Sequence, residues 1–237
     1  MSFLEAEWRK LAIANYEIDP SLLQEYVPLG TELDLWQSRC YVSLVGFMFL
    51  NTKLLGMKVP FHINFEEVNV RFYVRRYEDK EWKRGVVFIK EIVPKPAITF
   101  VANTIYRENY ETLAMAHRWE ERPTHREVEY RWKKKGQWHS FAVKAGLKPA
   151  PMEEGSETEF ITEHYWGYAK AGTASTVEYE VTHPRWQAYD VEEYQLSLDF
   201  GAVYGPNWSL LTGREPASVM LAEGSLITVE NKRLISF

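Results

Sequence analysis

The chain has 237 residues, 46% of them hydrophobic and 26% charged, an ordinary globular composition within the size range of one all-β domain. Twenty-eight basic residues stand against 33 acidic ones, a net charge of −5 spread along the chain, so the charge pattern excludes a broad nucleic-acid footprint.

The centre of "WRKLAIANYEI" reads as a strand. Asp19-Pro20 is a cap followed by a first helical residue, and "PSLLQEYV" continues the helix until Pro28 stops it. "CYVSLVGFMFL" is β-branched and aromatic, hence a strand, and a loop runs from Asn51 to about His62. "FEEVNVRFYVRRY" alternates: Val68, Val70, Phe72 and Val74 share one face, and Glu67, Asn69, Arg71, Tyr73 and Arg75 the other. "VVFIKEIV" is apolar on both faces and completes a hairpin as a central strand.

"AITFVANTIY" suits a strand or a short helix. "EVEYRW" and "WHSFAVKAG" form a second hairpin that turns at Gly136, and "LKPAPMEEGSETE" is a loop. "FITEHYWGYAK" and "STVEYEVTH" are strands around "AGTA". "YQLSLDFGAVYG" and "SVMLAEGSLITVE" supply further strands, with a short helix near "PNWSLL". Helices are too few for alternating βαβ units. The expected architecture is one domain over residues 1–237, α+β in class, mainly antiparallel β and barrel-like, with a few short helices.

Cys40 is the only cysteine, so no intramolecular disulfide is available and a reducing, cytoplasmic setting is expected. The first residues do not resemble a signal peptide, and no apolar run reaches the roughly 18 residues of a membrane helix. No glycine-rich phosphate loop, dinucleotide fingerprint or nucleophile elbow occurs, so no cofactor is expected. The six histidines lack metal-ligand spacing, and no metal is expected.

Three features could carry chemistry. Lys90 and Glu91 sit mid-strand and point to opposite faces. Burial of either charge requires a partner, and a desolvated Lys90 could attack a carbonyl. The row Glu67, Asn69, Arg71, Tyr73 either faces solvent or lines a cavity, where Arg71 would bind a carboxylate and Glu67 would act as acid or base. The stretch "TEHYWGYAK" places His164, Trp166 and Tyr168 on a pocket wall or in a core.

"FEEVNVRFYV", "GVVFIKEIVPKPAI", "YRENYETLAMAH", "TEHYWGY" and "THPRW" together resemble the YqjF-like family, within the acetoacetate decarboxylase-like superfamily. The resemblance runs from about Asn15 to Val229. It implies a β-barrel-like fold with an internal cavity, commonly oligomeric. Acetoacetate decarboxylases use a Schiff-base lysine beside a second lysine that lowers its pKa. The matching positions fall at about Asn109 to Glu111, and no lysine occurs between Lys95 and Lys133. Decarboxylation through an imine is therefore not expected.

The expected function is binding of a small anionic or carbonyl-bearing ligand in a homo-oligomer, with lyase- or hydratase-type acid–base chemistry. Glu67, Glu108, Tyr110 and His117 would be catalytic; Asn69, Arg71, Tyr106, Asn109, His164 and Trp166 would hold the ligand. Two alternatives stand beside it. One is a Schiff-base enzyme using Lys90. The other is a non-catalytic binding or structural oligomer whose interior is filled by side chains.

Overall fold

The computed structural model describes residues 2–237. Its strands are β1 (Leu4–Glu17), β2 (Glu32–Leu33), β3 (Tyr41–Leu54), β4 (Phe65–Glu78), β5 (Glu81–Val93), β6 (Tyr110–Thr112), β7 (Ala114–Glu121), β8 (Arg126–Lys134), β9 (Gln137–Pro151), β10 (Trp166–Lys170), β11 (Ser175–Thr182), β12 (Gln187–Ser197), β13 (Ser218–Val229) and β14 (Arg233–Ser236). Three short α-helices join them: α1 (Pro96–Val101), α2 (Glu157–Thr162) and α3 (Phe200–Tyr204). The sheet is mainly antiparallel. Only the short β5–β10 and β5–β6 pairings are parallel among the described residues.

Neighbouring strands run β11-β10-β5-β4-β3-β1-β13. Strand β13 also pairs back to β11 through Val181↔Val229 and Thr182↔Thr228, which closes a ring of seven strands. From β13 the sheet continues through β12, β9, β8 and β7 and folds across the outside of the ring. The alternation of β4 is the reason. Val68, Val70, Phe72 and Val74 are buried outward, in one cluster with Val128, Tyr130, Trp132, Phe141 and Val143 of β8 and β9. Gly46 allows the close approach, because a Cβ there would lie 2.8 Å from the Tyr130 ring.

The inner faces of β1, β3, β4 and β5 form a second cluster that includes Leu11, Val45, Phe47, Tyr73 and Val86. Helix α2 packs Phe160 against Tyr41 and Tyr73 within it. Both faces of β3 and β4 are therefore buried through the middle of the strands, one against a second layer and one around an interior.

Two segments expected as strands begin or end as helices, for one reason. "FITEHYWGYAK" splits because Ser156 caps α2, its hydroxyl accepting from the Glu159 N–H at 3.1 Å, and β10 starts only at Trp166. "LDFGAVYG" becomes α3 because Asp199 accepts from the Ala202 N–H at 2.9 Å. Each cap satisfies an amide that a strand would pair laterally. "AITFVANTIY" resolves into α1 and a π-helical turn over Ala102–Tyr106. Strand β3 runs to Leu54, so the loop expected from Asn51 begins later. No helix among the described residues is long and apolar enough to cross a membrane.

A bulge in β5 sets the geometry of the interior. Val70 of β4 pairs with Lys90, but Arg71 pairs with Phe88, so Ile89 is the extra residue. The side-chain alternation resets there. Val86 and Phe88 face inward before the bulge and Glu91 faces inward after it, while Lys90 faces out. Asn109 clips the bulge from the neighbouring segment. Its side-chain amide donates to the Ile89 carbonyl at 2.7 Å, and its own carbonyl accepts from the Glu91 N–H at 3.0 Å.

Candidate active site

The ring encloses a cavity of about 270 Å3, near the small end of ligand sites. Its walls are mostly aromatic and aliphatic: Trp8, Phe47, Phe49, Phe88, Trp166 and Tyr179 contribute from five strands. Helix α1 and the π-turn after it lie along one side with Ile98, Val101 and Tyr106. Arg107 then adopts a left-handed conformation, φ 61°, which ends the turn and brings Glu108 to the cavity.

Three carboxyl groups meet in this apolar setting. Glu67 of β4 and Glu91 of β5 are each 2% exposed, and Glu108 completes the trio. Glu67 accepts from the Asn69 amide at 2.9 Å and from the Tyr110 hydroxyl at 3.2 Å. Glu108 accepts from the Tyr179 hydroxyl at 2.8 Å. Glu91 Oε2 is buried without a hydrogen-bond partner. Burial pushes the Glu67 carboxyl up to about 7, although Asn69, Tyr110 and Arg71 pull the other way. Burial likewise raises Glu108, to about 8, with repulsion from Glu67 adding to it. Burial and then the charges of Glu108 and Glu67 hold Glu91 well above the usual carboxylate range.

Gly167 places Tyr179. A Cβ at Gly167 would sit 2.1 Å from the Tyr179 ring, so only glycine lets that ring lie across β10 and aim its hydroxyl at Glu108.

A cationic arm stands beside the trio. Arg71 lines the cavity, donates to the Ile161 carbonyl at 3.4 Å and leaves its Nε without a partner. His164, just before β10, is buried, and burial holds it down to about 4, so it is neutral at physiological pH. Its Nε2 lies 3.2 Å from Asp34 Oδ2, which also accepts from Arg84 Nε at 2.7 Å. Burial raises the Asp34 carboxyl, but the bonds from His164 and Arg84 outweigh it and keep Asp34 below its ordinary value. An ionised Asp34 fixes the proton on Nε2 and leaves Nδ1, which has no partner, as a free acceptor.

Residues 5–225 match the DUF2071 family, described as an uncharacterized conserved protein. The chain belongs to the DUF2071 family. It is 32% identical over 68 residues to uncharacterized protein YqjF of Bacillus subtilis (strain 168), a match that spans 28% of each chain. Solved structures with the same fold include acetoacetate decarboxylase of Legionella pneumophila (14% identity, TM-score 0.68, covering 98% of this chain and 87% of that one). The enduracididine biosynthesis enzyme MppR with HEPES buffer bound is similar too (10% identity, TM-score 0.69, covering 100% and 89%). So is an acetoacetate decarboxylase-like enzyme from Sphingomonas wittichii RW1 (10% identity, TM-score 0.65, covering 100% and 94%).

In this DUF2071 chain Glu67, Asn69, Arg71, Tyr106, Glu108, Tyr110, His164 and Trp166 all line the one cavity. Three candidates do not. Lys90 faces outward beyond the bulge, where its ammonium donates to the Val203 carbonyl at 2.7 Å and to Glu111 at 3.1 Å. Among the cavity-lining residues there is no lysine, so a Schiff base at Lys90 has no access to the cavity. His117 lies on β7, in the outer layer, 2.7 Å from Glu66 Oε1. Asn109 is occupied by the bulge. Of the segment matching the decarboxylase lysine pair, Asn109 is structural, Tyr110 enters the cavity, and Glu111 turns out to Lys90 and Lys134.

Glu91 and Tyr179 are site residues not among those expected. For Glu91 the signal was present, a charge in the middle of an apolar strand. For Tyr179 it was weaker, a ring on the same strand face as Val177 and Val181. The interior is not filled by side chains, as a purely structural ring would have it. No group of three or more His, Cys, Asp or Glu side chains among the described residues could hold a metal ion.

Proposed function

We propose that this DUF2071 protein binds a small organic molecule with an anionic or carbonyl group inside the strand ring and acts on it by proton transfer, without an imine. The observation that carries this reading is a set of unpartnered buried polar atoms on the cavity-lining residues. Arg71 Nε, Glu91 Oε2, Asn69 Oδ1 and His164 Nδ1 all belong to cavity-lining residues. Each such atom costs about 1–3 kcal/mol when left unmet, and a polar ligand would meet several at once.

Arg71 would hold a carboxylate or carbonyl oxygen. Glu67, which titrates near neutrality with Tyr110 hydrogen-bonded to it, would take or give the proton, since an acid–base group works best when its pKa lies near the operating pH. Glu108 would hydrogen-bond the ligand. Neutral His164 would accept through Nδ1. The fold supports the reading at its own level: MppR, which shares it, is known complexed with pyruvate, at 9% identity and a TM-score of 0.66.

We infer further that the protein works in the cytoplasm as a homo-oligomer. Phe61 and Phe100, 87% and 70% exposed, are apolar surface of the kind a subunit contact covers. Analytical ultracentrifugation tests the oligomeric state directly.

The function is tested by a thermal-shift screen of small carboxylates, keto acids and ketones, followed by solvent-deuterium exchange into the hits, observed by NMR. Hits that stabilise the wild type but not Arg71→Leu, and that exchange a carbon-bound proton only when Glu67 is present, are the expected result. Hits without exchange would reduce the protein to a binding module, and no hits would overturn the reading.

A further inference from the structure

The three carboxyls are not matched by the cations around them. Arg71 acts on Glu67 and is not among the charges acting on Glu91 or Glu108. Neither Glu91 nor Glu108 makes an ion pair among the described residues. The charged and titratable groups that line the cavity with Glu91 are Glu67 and Arg71 from β4, His62 from the loop before β4, Tyr106, Glu108 and Tyr110 from the segment leading into β6, His164 just before β10, and Tyr179 from β11. Only Arg71 among them is a permanent cation, and it acts on Glu67, the carboxyl that already has two donors.

Glu91 Oε2 is the second observation. It belongs to a cavity-lining residue, is buried and has no donor. A ligand hydroxyl would satisfy that oxygen but would bring no charge to favour ionisation of the three carboxyls. An ammonium brings up to three donors and an opposing charge, and so answers both needs.

The spacing to Arg71 favours one molecule carrying both charges. Asn69 pairs with Glu91 across β4 and β5, and Arg71 is the next residue on the same face of β4. The step from Asn69 to Arg71 is about 6.6–6.8 Å along the strand. A carboxylate at Arg71 and a cationic nitrogen at Glu91 would thus sit a few bonds apart.

Building on the reading of Arg71 as the anion anchor, we propose that the ligand is zwitterionic, a small amino carboxylic acid. Its carboxylate lies on Arg71, and its basic nitrogen is held by Glu91 and Glu108. Binding converts the trio from a proton-retaining to an ionised state, so the complex releases protons at neutral pH.

Isothermal titration calorimetry on the full chain tests this with matched probes of equal length: a straight-chain ω-amino acid, the carboxylate lacking the nitrogen, the amine lacking the carboxylate, and the alcohol. The amino acid is expected to bind about tenfold or more tighter than the carboxylate, equivalent to about 1.4 kcal/mol. Its affinity should rise with pH through neutrality, with a heat that depends on the ionisation enthalpy of the buffer. The amine should also bind better than the alcohol. Glu91→Gln, checked for native circular dichroism, should bring the amino acid down towards the carboxylate. Equal or weaker binding of the amino acid would overturn the zwitterion while leaving the anion site intact. Failure of every probe would sink both.

Discussion

Replacing Glu67 by glutamine should change how stability depends on pH more than stability itself. The carboxyl titrates at about 7 in the fold against an ordinary 4.5. Between those values the folded chain keeps a proton that the unfolded chain has released, so stability falls as pH rises. The contribution is fully present below the unfolded pKa and is lost as pH passes through the folded one. A gap of about 2.5 pH units at ~1.4 kcal/mol each gives about 3.5 kcal/mol. Glutamine has the same shape and no charge, so it escapes this loss. It can satisfy only one of the two donors, Asn69 and Tyr110, which costs about 1 kcal/mol at every pH. Urea unfolding of both proteins from about pH 4 to about pH 9 should therefore give curves that cross. The wild type should be the more stable at the acid end, and Glu67→Gln should lead by roughly 2 kcal/mol at the alkaline end. Parallel curves would refute the reasoning, because they would mean that Glu67 is ionised in the fold throughout.

Three further outcomes are expected. Gly167→Ala should push the Tyr179 ring off β10, break its bond to Glu108 and cost about 1–3 kcal/mol in denaturant unfolding, more than an exposed glycine such as Gly155 would. Asn109→Ala should leave the Ile89 carbonyl without its donor and cost about 1–3 kcal/mol, and it should weaken ligand binding because the bulge aims Glu91. Borohydride with acetoacetate should leave the intact mass of the chain unchanged, since Lys90 faces away from the cavity; a mass increase that Lys90→Met abolishes would contradict the outward placement.

Much of the ring was legible because its strands obey period two. The alternation of Glu67, Asn69 and Arg71 against Val68, Val70 and Phe72 marked two distinct faces, but local sequence could not say which environment the polar face would meet. That depends on ring closure between β11 and β13, a contact between segments far apart in the chain. The bulge at Ile89 was illegible for a different reason. An extra residue leaves no mark in composition, yet it decides that Glu91 enters the cavity with Phe88. His117 could not be placed because β7 joins the outer layer only through β8. The two short helices did leave signals, Ser156 with Glu159 and Asp199 before Phe200, but strand-like residues beside them masked both. The family resemblance located the segment around Tyr110 without showing that Asn109, Tyr110 and Glu111 would point to three different environments.

Whether the three glutamates share a buried, proton-retaining cavity is the centre of the account, and carbon-13 NMR titration of the glutamate side-chain carboxyls measures it directly. Three resonances, assigned by Glu67→Gln, Glu91→Gln and Glu108→Gln, should titrate above about pH 6, well clear of ordinary glutamates near 4.3. All three should shift when a cavity ligand is added. Midpoints below about pH 5 for the three would contradict the account, because they would place these carboxyls in water or beside cations that the structure does not contain.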